Sequence, residues 1–142
     1  MSALNNKIAL VTGSRRGVGR LVAEHLLAQG ATVVGFARGT STIDHVSYRH
    51  YQVDVADPGA VQRGFSAVAM DVGSVQIVVN NAAVLTSQYA MIMSPSAAQE
   101  MLNVNLLGPF LVSREAAKMM RRTKWGRIVN IGSMAASLEP IG

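Results

Sequence analysis

Cysteine is absent from the 142-residue chain, which excludes disulfide staples and thiolate catalysis. Charged residues are scarce, at 15%, and apolar residues make up 49%. That balance excludes a disordered chain, which combines low hydrophobicity with high charge. No apolar run approaches the roughly 18 residues that read as a membrane span, so no membrane partner is expected. The first residues, Met1 to Lys7, are polar and lack the apolar centre of a signal peptide, and the expectation is a cytoplasmic protein. The three histidines, His25, His45 and His50, lack the spacing and carboxylate partners of a metal site, so no metal is expected.

The formal net charge is +5. Apart from Arg15-Arg16 and a cluster from Arg121 to Arg127, the basic residues are scattered. Nucleic-acid binding asks for a continuous basic face, and the reading is against it. An anionic small ligand accounts for part of the excess equally well.

Apolar strand patterns alternate with helical ones. Ile8 to Val11 reads as a first buried strand ending in Thr12-Gly13, and Val18, Leu21, Val22 and Leu26 follow at helical spacing, with Gly30 as the stop. Thr32 to Phe36 is a second strand, 39–47 a polar loop, and Tyr51 to Val53 a third strand. Asp57-Pro58 is an N-cap with proline at the first helical position, opening a helix to about Met70. Val75 to Val79 is a fourth strand. A longer helix follows the Ser94-Pro95 break, from about Ala97 to Arg122, and Arg127 to Ile131 is a fifth strand. The alternation predicts an α/β fold over a single domain, residues 1–142: a doubly wound, Rossmann-type parallel sheet with helices on both faces. Ligands in such sheets sit at the carboxyl ends of the strands. Gly13, Arg38, Asp54, Asn80-Asn81 and Ser133 all fall at such ends.

The turn after the first strand is Thr12-Gly13-Ser14-Arg15-Arg16-Gly17-Val18-Gly19. Glycines there let the backbone turn tightly and approach a pyrophosphate at a helix N-terminus. Asn105 stands four residues before Pro109. Proline has no N–H for the carbonyl four residues back, so the long helix is expected to kink there and free the Asn105 carbonyl.

Four motifs, in order and at plausible spacing, carry a resemblance to the short-chain dehydrogenase/reductase family: Thr12-Gly13-x-x-x-Gly17-x-Gly19, Asn80-Asn81-Ala82-Ala83, Asn103-Val104-Asn105-Leu106 and Ile131-Gly132-Ser133. Ala83 departs from the family's glycine. The chain looks most like the 3-oxoacyl-carrier-protein reductase-like members. The resemblance implies a hydride exchanged between a nicotinamide cofactor and a carbonyl or alcohol substrate. It places the cofactor against Gly13, Ser14, Arg15, Arg16, Gly17, Val18 and Gly19, with Asp54 and Val55 flanking the adenine and Asn81, Ala82 and Ala83 on the ribose side. It gives Ser133 a hydrogen bond to the substrate oxygen. It gives the main-chain carbonyl of Asn105 a water in a proton relay. It also implies a homo-oligomer built partly on the long helix.

NAD sites usually present a carboxylate after the second strand, and NADP sites an arginine. Here that strand ends Phe36-Ala37-Arg38 with no acid. Arg38 and Arg16 are expected to share the 2′-phosphate, and the cofactor is read as NADP(H). The alternative makes both arginines solvated surface charges. Asp54 is open to a second reading as a capping or loop residue.

In the resembling family the proton donor is a tyrosine in a Tyr-x-x-x-Lys motif about a dozen residues after the serine. The chain ends at Gly142, before that motif, and Tyr48, Tyr51 and Tyr89 lie elsewhere. The expectation is a domain incomplete at its C-terminus. Alone it is expected to be inactive, and marginally stable or associating through the edge of its fifth strand.

Overall fold

The computed structural model describes residues 3–133. In chain order the elements are β1 (Ile8–Thr12), α1 (Gly17–Ala28), β2 (Thr32–Ala37), β3 (Tyr48–Gln52), α2 (Pro58–Asp71), β4 (Ile77–Asn80), α3 (Pro95–Leu102), a π-helical turn (Asn103–Leu107), α4 (Gly108–Thr123) and β5 (Arg127–Asn130). The five strands form one sheet in the order β3-β2-β1-β4-β5, and every pairing is parallel. The order reverses between β1 and β4. Connections leaving the two strands diverge there and open a crevice beyond their carboxyl ends.

Side chains alternate across the sheet, and each face has its own core. Leu10, Val34 and Val78 point to one face, where Val61, Phe65 and Val68 of α2 and Leu111, Val112, Ala116 and Met120 of α4 cover them. Phe36 anchors that side, edge-on to Phe65 at 5.6 Å between ring centroids. Ala9, Val11, Val33, Ile77 and Val79 point the other way, against Ala23 and Leu27 of α1. Full burial of each valine, leucine or isoleucine among them contributes about 1.5–3 kcal/mol. Burial on both faces explains why the strands read as continuous apolar runs.

Of the four apolar positions at helical spacing in α1, Val22 and Leu26 pack against the core and the other two do not. Val18 and Leu21 are exposed, at 57% and 67%, while Gly19, Ala23 and Leu27 are buried. Small residues at 19 and 23 let the helix lie close on the sheet, and the larger side chains at 18 and 21 turn outward. The third strand begins at Tyr48 rather than Tyr51, and the fourth runs 77–80 rather than 75–79. Asp57 caps α2 as expected, with Oδ1 accepting from the amides of Gly59 and Ala60 at 2.9 and 3.1 Å. Ser94 caps α3 through the Ala97 amide at 3.2 Å.

The long helix is broken at the expected place, as a π-turn between two α-helices. The Gly108 amide reaches back to the Asn103 carbonyl, five residues away. Pro109, just beyond it, has no N–H to continue the regular ladder. Trp125 packs at the end of α4 between two cations, with Lys7 Nζ 4.2 Å and the Arg127 guanidinium 4.9 Å from its ring centroid. No helix among the described residues is long and apolar enough to cross a membrane.

Candidate functional site

A cleft of about 310 Å³ opens beyond the carboxyl ends of β1, β2 and β4. Gly13, Arg15 and Arg16 from the first turn, Arg38 and Gly39 from the end of β2, Asp54 and Val55 after β3, and Asn81, Ala82 and Ala83 after β4 line it. Most of the residues expected to meet a cofactor are thus brought together. Ser14, Gly17, Val18 and Gly19 do not line the cleft. Ser14 is fully buried with its hydroxyl turned into the protein, and Val18 is exposed.

The turn has the backbone its glycines allow. Gly13 and Gly17 have φ of +66° and +55°, a region costly for other residues. The Gly13 amide is held by the Phe36 carbonyl at 2.8 Å. A Cβ at Gly13 would come within 2.9 Å of Asn81 Nδ2 and 3.0 Å of the Ala82 Cα. Helix α1 then starts with Arg16 as an extended N-cap whose side chain makes no capping bond. Its first N–H groups carry the partial positive charge of the helix end.

A residue that stands in the glycine-rich motif with no role assigned to it holds this turn to β4. Thr12 is buried, and its Oγ1 accepts from the amides of Asn81 and Ala82 at 3.0 and 2.9 Å. Asn81 Nδ2 returns bonds to the carbonyls of Thr12 and Gly13 at 3.1 and 3.3 Å. Its neighbour Asn80 donates from Nδ2 to Ser113 Oγ at 3.0 Å and to Asn130 Oδ1 at 2.9 Å, joining β4 to α4 and β5. The paired asparagines divide their work: Asn81 shapes the cleft and Asn80 ties the sheet to its helix.

The arginines are not equivalent. Arg15 Nε donates to the Thr40 carbonyl at 3.0 Å, and Thr42 Oγ1 donates to the Arg15 carbonyl at 2.6 Å. Arg15 therefore bridges the first turn to the loop after β2. Arg16 and Arg38 line the cleft from those two backbones. Asp54 has a loop role as well as its place in the cleft, since its Oδ1 accepts from the Ala56 amide at 2.9 Å. Val55 is buried against Gly108, where a Cβ would come within 2.9 Å of Val55 Cγ2.

Neither Asn105 nor Ser133 lines the cleft. Asn105 lies in the π-turn, and its side chain clasps the backbone of Val84, with Oδ1 accepting from the amide at 2.9 Å and Nδ2 donating to the carbonyl at 2.8 Å. That pair pins the segment leaving β4. Ser133 is exposed, three residues past the end of β5. The Ile131 amide is bonded to the Asn80 carbonyl at 3.0 Å, which extends the β4–β5 pairing toward it.

Two tyrosines occupy the opposite edge of the sheet, on β3. Burial pushes the Tyr48 hydroxyl upward from the usual phenol range, and its hydrogen bond with Ser14 partly offsets that. Tyr51 is pushed up to about 12 by desolvation, with the hydrogen bond to Asp71 adding to the shift. Both are engaged far from β5, as the placement of β3 and β5 at opposite edges requires.

The short chain dehydrogenase family model matches residues 7–142. The 3-oxoacyl-[acyl-carrier-protein] reductase FabG of Salmonella typhimurium is 31% identical over 99% of this chain and 60% of its own length. The reductase MabA of Mycobacterium bovis is 35% identical over 93% of this chain and 53% of its own. Among solved structures, ligand-free aldohexose dehydrogenase from Thermoplasma acidophilum superposes with a TM-score of 0.91 at 30% identity, covering 99% of this chain and 54% of that one. The chain thus spans somewhat over half the length of these relatives.

Proposed function

The chain belongs to the short-chain dehydrogenase family, and on that footing we propose that it forms the cofactor-binding part of an NADP(H)-dependent oxidoreductase acting on a small carbonyl or alcohol substrate. A 3-oxoacyl thioester is the leading substrate class, because relatives at 31–35% identity are reductases of that kind. When bound, the cofactor supplies or accepts a hydride at the nicotinamide.

The observation that carries the NADP(H) reading is the charge lining the cleft. The end of β2 offers Arg38 and no carboxylate, and Arg16 faces the same cleft from the first turn. Two guanidinium forks suit a 2′-phosphate, which each binds through paired N–H groups. Asp54, the acid that does line the cleft, has an oxygen engaged by the Ala56 amide. The glycine-rich turn leaves the space a side chain would fill, and the uncapped start of α1 favours the pyrophosphate charge. Ser133 orients the substrate oxygen in this reading. The main-chain carbonyl of Asn105 holds a water, aided by the π-turn at that residue. Association into a homo-oligomer would bury Leu102, Leu106 and Phe110, which are exposed at 54%, 68% and 58% on the α3–α4 face.

The test is a titration of the chain with NADPH and NADH by ligand fluorescence. NADPH is expected to bind about 10–100 times more tightly, the worth of one or two charge-assisted contacts, and Arg38→Ala to remove most of that preference. Equal or tighter NADH binding refutes the NADP(H) assignment. Tyr48 and Tyr51, on β3, are committed to Ser14 and Asp71, and Tyr89 does not line the cleft. The 142-residue chain is accordingly expected to bind cofactor without turnover. A steady loss of nicotinamide absorbance with a 3-oxoacyl thioester would overturn that expectation.

A further inference from the structure

A chain of hydrogen bonds runs behind the cleft, and two of its three side chains, Tyr48 and His50, lie outside the four motifs. Ser14 Oγ lies 2.9 Å from Tyr48 Oη, Tyr48 Oη lies 3.1 Å from His50 Nδ1, and His50 Nε2 lies 2.7 Å from the Gly39 carbonyl. It starts in the glycine-rich turn and ends in the turn after β2. Ser14 is fully buried and Tyr48 is 6% exposed. Buried polar groups of this kind are costly unless every one is paired.

The direction of each bond follows from its end. The Gly39 carbonyl only accepts, so His50 Nε2 carries the hydrogen and donates. In the neutral ring Nδ1 then accepts. Tyr48 donates its hydroxyl hydrogen to His50, which leaves its oxygen to accept from Ser14. One consistent assignment satisfies the whole chain. β2 makes room for it at Gly35, where a Cβ would collide with Tyr48 Oη and Ser14 Oγ. A strand glycine with no turn to make is explained by the close passage of these two side chains.

The two ends are the backbones that carry the cleft's arginines. Ser14 immediately precedes Arg15 and Arg16, and Gly39 immediately follows Arg38. On the solvent side, Arg15 Nε to Thr40 and Thr42 Oγ1 to the Arg15 carbonyl join the same two segments again. The segments are thus fastened from within by Ser14–Tyr48–His50 and from without by Arg15 and Thr42.

We propose that Tyr48 and His50 are positioning residues for cofactor discrimination: they fix the first turn against the turn after β2, so that Arg16 and Arg38 form a preset cradle for a ribose 2′-phosphate. Neither residue touches the phosphate. Their effect comes from lowering the ordering cost of two long, rotamer-rich side chains and the loops that carry them. The 2′-phosphate is the group gripped by both segments together. NADH lacks it and gains little from their mutual alignment. The inference rests on the NADP(H) reading.

The experiment measures dissociation constants for NADPH and NADH on the chain and on Tyr48→Phe, which removes one hydroxyl and keeps the ring. NADPH affinity is expected to fall about tenfold, the worth of one lost buried hydrogen bond, while NADH affinity stays within about twofold. Ser14→Ala cuts the chain at its other end and is expected to give the same selective loss. It carries the test if Tyr48→Phe does not fold, as read by its thermal melt. An unchanged NADPH-to-NADH ratio in variants of a chain that prefers NADPH overturns the inference and leaves the cofactor reading standing. Equal losses for both nucleotides overturn it too, since they mark a merely structural role. A wild-type chain with no NADPH preference overturns both.

Discussion

Replacing Gly19 by alanine isolates the contact between α1 and the crevice, because two effects of opposite sign meet at one methyl group. In a helix, alanine is favoured over glycine by about 1 kcal/mol. Against that, a Cβ at 19 would collide with the carbonyl oxygen of Gly13 and with Asn81 Nδ2, and would come within 2.8 Å of the Gly13 carbonyl carbon. The Gly13 carbonyl is backbone, in a turn held by the hydrogen bond that the Gly13 amide donates to the Phe36 carbonyl, and cannot swing aside. Forcing a methyl group into such a contact costs about 1–3 kcal/mol. Displacing Asn81 Nδ2 from the carbonyls of Thr12 and Gly13 costs about 1 kcal/mol for each bond lost. The sum is a net loss of about 2–4 kcal/mol, or roughly 5–15 °C in melting temperature for a chain of this size. Gly59 is the control. It lies in the first turn of α2, and a Cβ there meets chiefly the movable end of Arg63, at 3.0 Å. Gly59→Ala is expected to be neutral or to stabilise by up to about 1 kcal/mol. Urea unfolding of both variants reads the difference, and NADPH titration of Gly19→Ala is expected to show weakened binding. A Gly19→Ala loss below about 0.5 kcal/mol, the scatter of ordinary surface changes, would refute the close approach.

Alkaline unfolding reports on β3. Tyr51 donates to Asp71 Oδ2 at 2.8 Å and is pushed up to about 12 from 10.0. A raised folded-state value favours the neutral phenol, so this contribution is complete below about pH 10 and is lost as the pH rises through about 12. Tyr48 shifts in the same direction, so the comparison is with Tyr51→Phe. The wild type is expected to lose more melting temperature than the variant between those limits, and parallel curves would refute the assignment. Asn105→Ala removes both bonds to Val84 and is expected to cost about 1–2 kcal/mol. Hydrogen exchange at the Val84 amide should quicken well before the strands exchange; an unaltered rate would mean that the segment is held by other contacts.

The sequence was most readable where a residue's local chemistry leaves little choice. Gly13 and Gly17 mark positions of positive φ, Asp57-Pro58 marks a capped helix start, and Pro109 marks a break in the helical ladder. All were found where local rules put them. Reading failed where partners are distant. Helical spacing treats Val18, Leu21, Val22 and Leu26 alike, yet Val18 and Leu21 are exposed, and the buried positions of α1 are Gly19, Ala23 and Leu27, a matter of closeness as much as hydrophobicity. The polar start of β3, Tyr48-Arg49-His50, carries no buried-strand pattern because β3 is an edge of the sheet.

The same distinction separates the walls of the cleft from what holds them. Gly13, Arg16, Arg38 and Asn81 announce themselves through their places at strand ends, and they line one cleft. Tyr48 announces nothing, and Thr12 stands in a motif without announcing its role, because their partners are 34 and 69 residues away. Only the parallel pairing of β1 with β2 and β4, and of β2 with β3, creates those neighbours. A motif therefore names the groups that face a ligand, and the topology supplies the side chains that hold them still. Gly35 shows the two levels meeting: alone it is a weak point in a β-strand, but between Ser14 and Tyr48 it is the gap that lets the first turn be fastened to the edge of the sheet.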